Sequence, residues 1–206
     1  TTGENLLHVS VARLMVNRVL QYEAQQLDDL KIAGKGYTVT SLERYVEHFI
    51  NLTIEGRELK VRLKGFIDRV DQMNGCWRII DYKTGTVESK QVKIKEWDDL
   101  LSKPELNIGF QLLMYSYLLS KQFDTEINSE AGIFSLKRIS AGFFPVSVPD
   151  ETSGKQTFLL NETTSGRFGG LLLSILEDIF DAAKPFNQTD DLNTCSKCPY
   201  INLCGR

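Results

Sequence analysis

Apolar residues recur at two different spacings along this chain, and the spacings predict helices and strands in a definite order. Helices are predicted where apolar positions recur every three or four residues: residues 5–31, 107–123 and 165–183. Strands are predicted in segments rich in Val, Ile, Thr, Tyr and Phe: two or three in residues 37–72, one in 76–84 and two in 130–148. Residues 87–106 are charged and irregular. The order predicts an α/β fold with a mixed central sheet flanked by helices.

The same pattern suggests how the chain is organised. We expect an N-terminal helical segment over residues 1–36, a core over 37–184 and a cysteine-rich tail over 185–206. The chain has 206 residues with 42% hydrophobic and 25% charged residues, which suits one folded domain with a small appendage. Because the first residue is Thr1 rather than Met, we expect a part of a longer protein.

Composition narrows the functional classes. No apolar run approaches the roughly 18 residues that a membrane helix needs, so no membrane association is expected. The formal net charge of −3 gives no general support for nucleic-acid binding, so such a role must rest on local residues. The first residues lack the basic and apolar regions of a signal peptide, and we expect a reducing, cytoplasmic compartment.

Two aspartates are predicted to face each other across a tight hairpin. If Asn74 and Gly75 are the two turn residues, paired positions sum to 149, which places Asp68 opposite Asp81 and projects Lys83 to the same face. Opposed like charges destabilise a sheet, and Mg²⁺ or Mn²⁺ between the carboxylates would offset the repulsion. Such a cation activates water for hydrolysis, and a lysine can orient that water. The simpler alternative is a salt-bridged hairpin, with Asp81 paired to Lys83 or Arg69.

These residues stand in two recognisable motifs. Residues 65–71, Gly-Phe-Ile-Asp-Arg-Val-Asp, and residues 80–85, Ile-Asp-Tyr-Lys-Thr-Gly, resemble the PD-(D/E)XK nuclease superfamily, and the branch they resemble most is the RecB/AddB nuclease domain. The resemblance runs from about residue 37 to the end of the chain. It implies a restriction-endonuclease-like fold, Asp68, Asp81 and the Tyr82 carbonyl as metal ligands, and Lys83 as the catalytic lysine.

Further site residues follow from the resemblance. Gln111 and Tyr115 have the spacing of a family motif that lines the active site and contacts the DNA strand, and their i, i+4 spacing puts them on one helix face. Glu43 stands where many members carry a glutamate, although a solvated residue is an equal alternative. Neither His8 nor His48 stands in the family's G-T-x-x-H context, so we expect that histidine upstream of residue 1.

Three cysteines crowd the end of the chain. Cys195, Cys198 and Cys204 form a C-x2-C-x5-C pattern, which is typical of metal or cluster ligation. The spacing resembles the tail of AddB-type nucleases, which implies a [4Fe–4S] cluster in the full-length protein, with a fourth cysteine from upstream. Zinc is the alternative, and Cys76 is not expected to be the fourth ligand.

Taken together, the sequence predicts a metal-dependent DNA nuclease. We expect an exonuclease acting on DNA ends in recombinational repair, with DNA and a helicase–nuclease subunit or a fused helicase domain as partners. Lys90, Lys93 and Lys95 could meet phosphates, although a solvated charged loop is the alternative. A non-catalytic DNA-binding or docking domain that keeps the fold is also compatible with these residues, as is a nuclease of the CRISPR-adaptation type.

Overall fold

A computed structural model describes residues 3–123, 126–150, 152–185, 187–196 and 198–205, with all their side chains except those of residues 4 and 194. The helices are α1 (Glu4–Ile32), α2 (Asp99–Ser102), α3 (Asn107–Ser120), α4 (Glu162–Phe180) and α5 (Leu192–Ser196). The strands are β1 (Tyr37–Ile54), β2 (Arg57–Met73), β3 (Cys76–Lys83), β4 (Ser129–Ser135), β5 (Phe143–Pro145), β6 (Val148–Pro149) and β7 (Gln156–Thr157).

The central sheet is mixed, as the order of elements predicts. Its five strands lie in the order β1-β2-β3-β4-β5, with β3 and β4 parallel and the other neighbours antiparallel. A parallel pair needs a long crossover, and the segment with α2 and α3 supplies it. This mixed sheet with flanking helices confirms the α/β prediction and is consistent with a restriction-endonuclease-like fold.

Two turns fix the register of the first three strands. Glu55 and Gly56 have φ of 49° and 75° and join β1 to β2, whereas Asn74 and Gly75 have φ of 54° and 80° and join β2 to β3. Positive φ at both central residues is what a type I′ two-residue hairpin turn requires. The pairs from Met73↔Cys76 to Arg69↔Ile80 all sum to 149, which confirms the predicted register for these five pairs.

The main core lies between one face of the sheet and helices α3 and α4. Trp77 packs against Phe123 just after α3, and Phe168 of α4 packs edge-on against Phe110 of α3. On the other face of the sheet, Tyr22 of α1 packs edge-on against Phe134 of β4. The part of the chain that the structure describes contains no helix long and apolar enough to cross a membrane.

The segment predicted as charged and irregular contributes to the core. Residues 87–106 contain α2 and two short 3-10 helices, and their buried side chains are Val87, Val92, Ile94, Trp97 and Leu106. The sequence did not indicate this, because the apolar positions have neither helical nor strand period. Helix α4 also begins before its predicted start, since the Asn161 side chain accepts a hydrogen bond from the Thr164 backbone N–H. The division into three segments stays a prediction.

Candidate active site

The ladder between β2 and β3 ends one step before the two aspartates. Its last backbone pair is Arg69↔Ile80, and Asp68 and Asp81 would be the next. Instead, the Asp68 carboxylate accepts a hydrogen bond from the Tyr82 backbone N–H at 2.8 Å. The side chain therefore takes the place of a backbone acceptor where the regular pairing between the two strands stops.

Asp68 also marks a break in the side-chain alternation of β2. Gly65 faces Tyr115 of α3, and Val70 is buried in the same core beside its cross-strand partner Ile79. Positions 65 and 70 are an odd number of residues apart, so regular alternation would send them to opposite faces. On the neighbouring strand, Glu43 has a φ of 47° and does not pair with Asp68, although the residues on either side do pair.

Glu43 is thus at the same break, but the structure does not bring its side chain to the aspartates. It is exposed, and it makes no hydrogen bond or ion pair with another of the described residues. A positive φ is uncommon for a glutamate and often marks a functional or strained position. Its role as a ligand stays a prediction.

Four of the predicted site residues form one continuous chain of contacts. Lys83 Nζ lies 2.9 Å from Asp81 Oδ2 and donates a hydrogen bond of 2.9 Å to Gln111 Oε1. Gln111 Nε2 in turn donates to the Tyr115 hydroxyl at 2.8 Å. The i, i+4 spacing of Gln111 and Tyr115 on α3 brings both to the end of β3. The lysine ammonium is consequently held between a carboxylate and an amide.

The electrostatics of Asp81 leave room for a further cation. Burial raises the pKa of Asp81 above its ordinary value; Lys83 opposes this effect, and the charge of Asp68 adds to it. Asp81 Oδ2 is fully buried, and the Lys83 ammonium lies 2.9 Å from it. One lysine neutralises only one of two carboxylates. The carboxylate oxygens of Asp81 and Asp68 are suitable ligands for a hard cation.

The donor set fits Mg²⁺ better than a metal that needs a complete protein cage. Within the described ranges, no group of three or more His, Cys, Asp or Glu side chains gathers as a metal site. Mg²⁺ keeps several waters and is commonly bound through one or two carboxylates, which Asp68 and Asp81 can provide. The predicted ion pair of Asp81 with Lys83 is present, whereas Arg69 pairs elsewhere.

A buried charge network lies behind the site, and the sequence reasoning missed it. The Arg69 guanidinium contacts the Asp71 carboxylate, Glu23 of α1 and the Tyr82 hydroxyl. Arg78 donates two further hydrogen bonds to Asp71, at 2.7 and 2.9 Å. The hairpin register could have indicated the Asp71–Arg78 pair, because 71 and 78 also sum to 149. The network links α1, β2 and β3 beside Asp68 and Tyr82.

The three tail cysteines do not form a group in the described structure. Cys195 is buried at the end of α5, Cys198 is partly buried and Cys204 is exposed. Cys198 and Cys204 follow turns, with backbone hydrogen bonds from Cys198 N to Cys195 O and from Cys204 N to Tyr200 O. Cys76 lies at the start of β3, with its Sγ 3.6 Å from Asn128 O. The cluster stays a prediction.

Comparisons with known proteins place the chain in a family. No curated protein sequence matches it. Among solved structures it is similar to the crystal structure of SSO0001, with 14% identity and a TM-score of 0.32, over 94% of this chain and 69% of that one. The model of the PD-(D/E)XK nuclease superfamily matches residues 4–205. The chain therefore belongs to the PD-(D/E)XK nuclease superfamily, as its two aspartate motifs predict.

Proposed function

We propose that this chain is a metal-dependent deoxyribonuclease of the RecB/AddB type, an exonuclease that processes DNA ends in recombinational repair. Membership of a nuclease superfamily gives nuclease activity in general, with a divalent metal such as Mg²⁺. The observation that carries the proposal is the meeting of Asp68, Asp81 and Lys83 where the β2–β3 ladder ends. A domain that only binds or docks has no need for a buried carboxylate beside a second one.

Each site residue has a distinct role in this proposal. Asp68, Asp81 and the Tyr82 carbonyl would hold Mg²⁺ or Mn²⁺, and the cation would supply Lewis-acid activation of water and of the phosphodiester. Lys83, fixed between Asp81 and Gln111, orients the attacking water and stabilises the negative charge that develops on the phosphate. Gln111 and Tyr115 line the path of the DNA strand.

The first test separates a metal ligand from the catalytic lysine. We expect the wild type to cleave an end-labelled oligonucleotide with Mn²⁺ and not with excess EDTA. Asp81→Ala should lose Mn²⁺ binding in calorimetry, because a ligand is removed. Lys83→Met should keep Mn²⁺ bound and cleave about 10²–10³-fold more slowly, because one electrostatic donor is lost.

The matched control for Lys83→Met is Lys155→Met, an exposed lysine outside the described contacts of the site. It should cleave at the wild-type rate. Cleavage that persists in EDTA would contradict the mechanism, and equal Mn²⁺ affinity in wild type and Asp81→Ala would remove Asp81 from the ligands. A wild type that binds DNA and Mn²⁺ but cleaves neither labelled end would support the non-catalytic alternative.

The tail and the partners complete the proposal. We propose that Cys195, Cys198 and Cys204 bind a [4Fe–4S] cluster with one upstream cysteine in the full-length protein. We also propose that the protein works in a reducing cytoplasmic compartment, together with a helicase domain or subunit. The C-x2-C-x5-C spacing supports iron–sulfur over zinc, because the second C-x2-C half of a zinc ribbon is missing from it. Full-length protein purified without oxygen should absorb near about 400 nm and bleach with dithionite. Colourless protein with bound zinc would contradict the cluster.

A further inference from the structure

The long β1–β2 hairpin has one buried face and one face open to solvent. Register places Tyr45 opposite Phe66, Glu47 opposite Lys64, and Phe49 opposite Arg62. Because side chains alternate along a strand, these six share a face with Lys60, and we call these seven residues the hairpin outer face. The intervening positions, such as Val46 and Leu52, are buried.

The hairpin outer face exposes aromatic rings. Phe66 is 58% exposed and Tyr45 41% exposed, and their ring centroids are 5.2 Å apart. Phe49 is also 41% exposed, with the Lys60 ammonium 4.5 Å from its ring centroid. A single exposed ring is ordinary, but three on one face, interleaved with basic side chains, indicate a surface that stacks against a partner.

The charge of this face is opposite in sign to that of the whole chain. Lys60, Arg62 and Lys64 are exposed, and they form no ion pair with any of the described residues. Glu47 is the only acidic residue among these seven, and its carboxylate accepts a hydrogen bond of 2.6 Å from the Tyr45 hydroxyl. Glu58, the next position of β2 on the same face, is a second exposed carboxylate, so the cations still outnumber the anions by one. Three cations without ion pairs on a chain of net charge −3 suit a polyanion.

We propose that the hairpin outer face binds a single strand of DNA, with bases stacked on Phe66, Tyr45 and Phe49 and phosphates paired with the three basic side chains. The inference rests on the proposed nuclease function and adds a DNA contact outside the active site, on the face of the sheet opposite to the one where Gly65 faces Tyr115. Phe66 is two residues from Asp68 on the same strand, about 7 Å away. From Phe66 to Lys60 the strand spans about 20 Å.

The mixture of rings and cations favours a single strand over a duplex. Bases in a duplex are already stacked on one another, so exposed rings would gain little from them, whereas a single strand offers free base faces. A duplex would use the basic side chains alone. The two substrates therefore differ in whether Phe66 contributes to binding.

The test measures binding without catalysis. Fluorescence anisotropy with a labelled oligothymidylate in EDTA, over a series of NaCl concentrations, gives both the affinity and its salt dependence. The triple variant Lys60→Ala/Arg62→Ala/Lys64→Ala should reduce the slope of log affinity against log salt by about 2, for three phosphate contacts on a single strand. Phe66→Ala should weaken binding at least about five-fold, whereas Phe66→Trp, which keeps an aromatic ring, should bind like the wild type.

The matched control is Lys31→Ala/Lys35→Ala/Lys155→Ala, which removes the same charge from exposed positions outside this face. It should keep the wild-type slope, and thermal unfolding should show that all variants fold. Equal weakening by both triple variants, or no binding of oligothymidylate by the wild type, would overturn the inference. A second contradicting result would be that duplex DNA binds through the same basic residues while Phe66→Ala does not change the affinity. Because EDTA prevents cleavage, binding through this face without Mn²⁺-dependent cleavage would contradict the nuclease proposal alone.

Discussion

Asp71 is a fully buried carboxylate that accepts hydrogen bonds from two guanidinium groups. Arg69 contacts it at 2.8 and 3.1 Å, and Arg78 contacts it at 2.7 and 2.9 Å. Buried ions are tolerated only when their partners satisfy them, so each of the three depends on the other two. Since Arg69 follows Asp68 and also contacts the Tyr82 hydroxyl, this cluster holds the backbone on which the proposed metal ligands lie.

Removing the Asp71 carboxylate should therefore destabilise the fold. We expect Asp71→Ala to lower the free energy of unfolding by about 3–5 kcal/mol, because the buried Arg69 and the partly buried Arg78 lose the carboxylate that they share. Urea unfolding followed by circular dichroism measures it. The control is Lys90→Ala, which breaks an exposed ion pair with Glu88 and should leave the unfolding midpoint unchanged. A midpoint of Asp71→Ala within error of that control would contradict the assigned role.

At the residue scale the sequence predicted the members of the site better than their partners. Asp68, Asp81, Lys83, Gln111 and Tyr115 are identifiable because the motifs have fixed spacing and the hairpin register is local. The sequence does not indicate that Arg69 pairs with Asp71 and not with Asp81, because this pairing depends on Glu23 and on the orientation of α1. The positive φ of Glu43 likewise has no signal in its residue type.

Strand β2 and helix α3 approach each other at a single glycine. A Cβ atom added to Gly65 would lie 2.9 Å from the Cε1 atom of Tyr115, which is closer than real side-chain carbons come. The absence of a side chain at position 65 thus allows the tyrosine to lie where it accepts the hydrogen bond from Gln111.

We expect Gly65→Ala to displace the Tyr115 ring and to break its hydrogen bond with Gln111. The overpacking should cost about 1–3 kcal/mol of unfolding free energy, and cleavage should fall along with it. Adding Tyr115→Ala should recover most of the stability and none of the cleavage. Gly36→Ala is the matched control, since its Cβ would meet nothing within 4 Å. Equal stability of the two alanine variants would show that the contact is unimportant.

The elements differed in how well the sequence predicted them, and contact range explains the difference. The β2–β3 hairpin is closed by two residues, Asn74 and Gly75, whose conformational preference is local. The parallel pairing of β3 with β4 joins residues about fifty positions apart, as at Tyr82↔Phe134, and no local pattern encodes it. Residues 87–106 give no local signal of their burial, because their apolar positions have neither helical nor strand period.

On the scale of the whole molecule, α4 closes the core over α3. Phe168 is 1% exposed and lies edge-on to both Phe110 and Tyr117, with ring centroids 5.3 and 6.2 Å apart. Tyr117 also packs against His48 of β1, so these rings connect the helical layer to the long hairpin. We therefore expect cooperative unfolding of the sheet and the helices to depend on this contact.

Phe168→Ala should lower the unfolding free energy by about 3–5 kcal/mol, since it leaves a cavity at the contact between two layers. Phe180→Ala, in the same helix but 41% exposed, is the control and should change it little. Chemical denaturation with intrinsic fluorescence measures both. If Phe168→Ala instead unfolds in two separate transitions, α4 and the sheet are not one cooperative unit.

The backbone N–H of Tyr82 donates its hydrogen bond to the Asp68 side chain, whereas its neighbours along β3 take part in the backbone ladder. Hydrogen exchange of this amide can therefore report on the state of the site. We expect its exchange with solvent deuterium to be limited by the Asp68 carboxylate and not by opening of the sheet. In Asp68→Ala the Tyr82 amide should exchange rapidly while that of Ile80 stays protected. Titration with Mg²⁺ should change the exchange of this one amide first, so that occupancy of the proposed site can be followed in the absence of any nucleic acid.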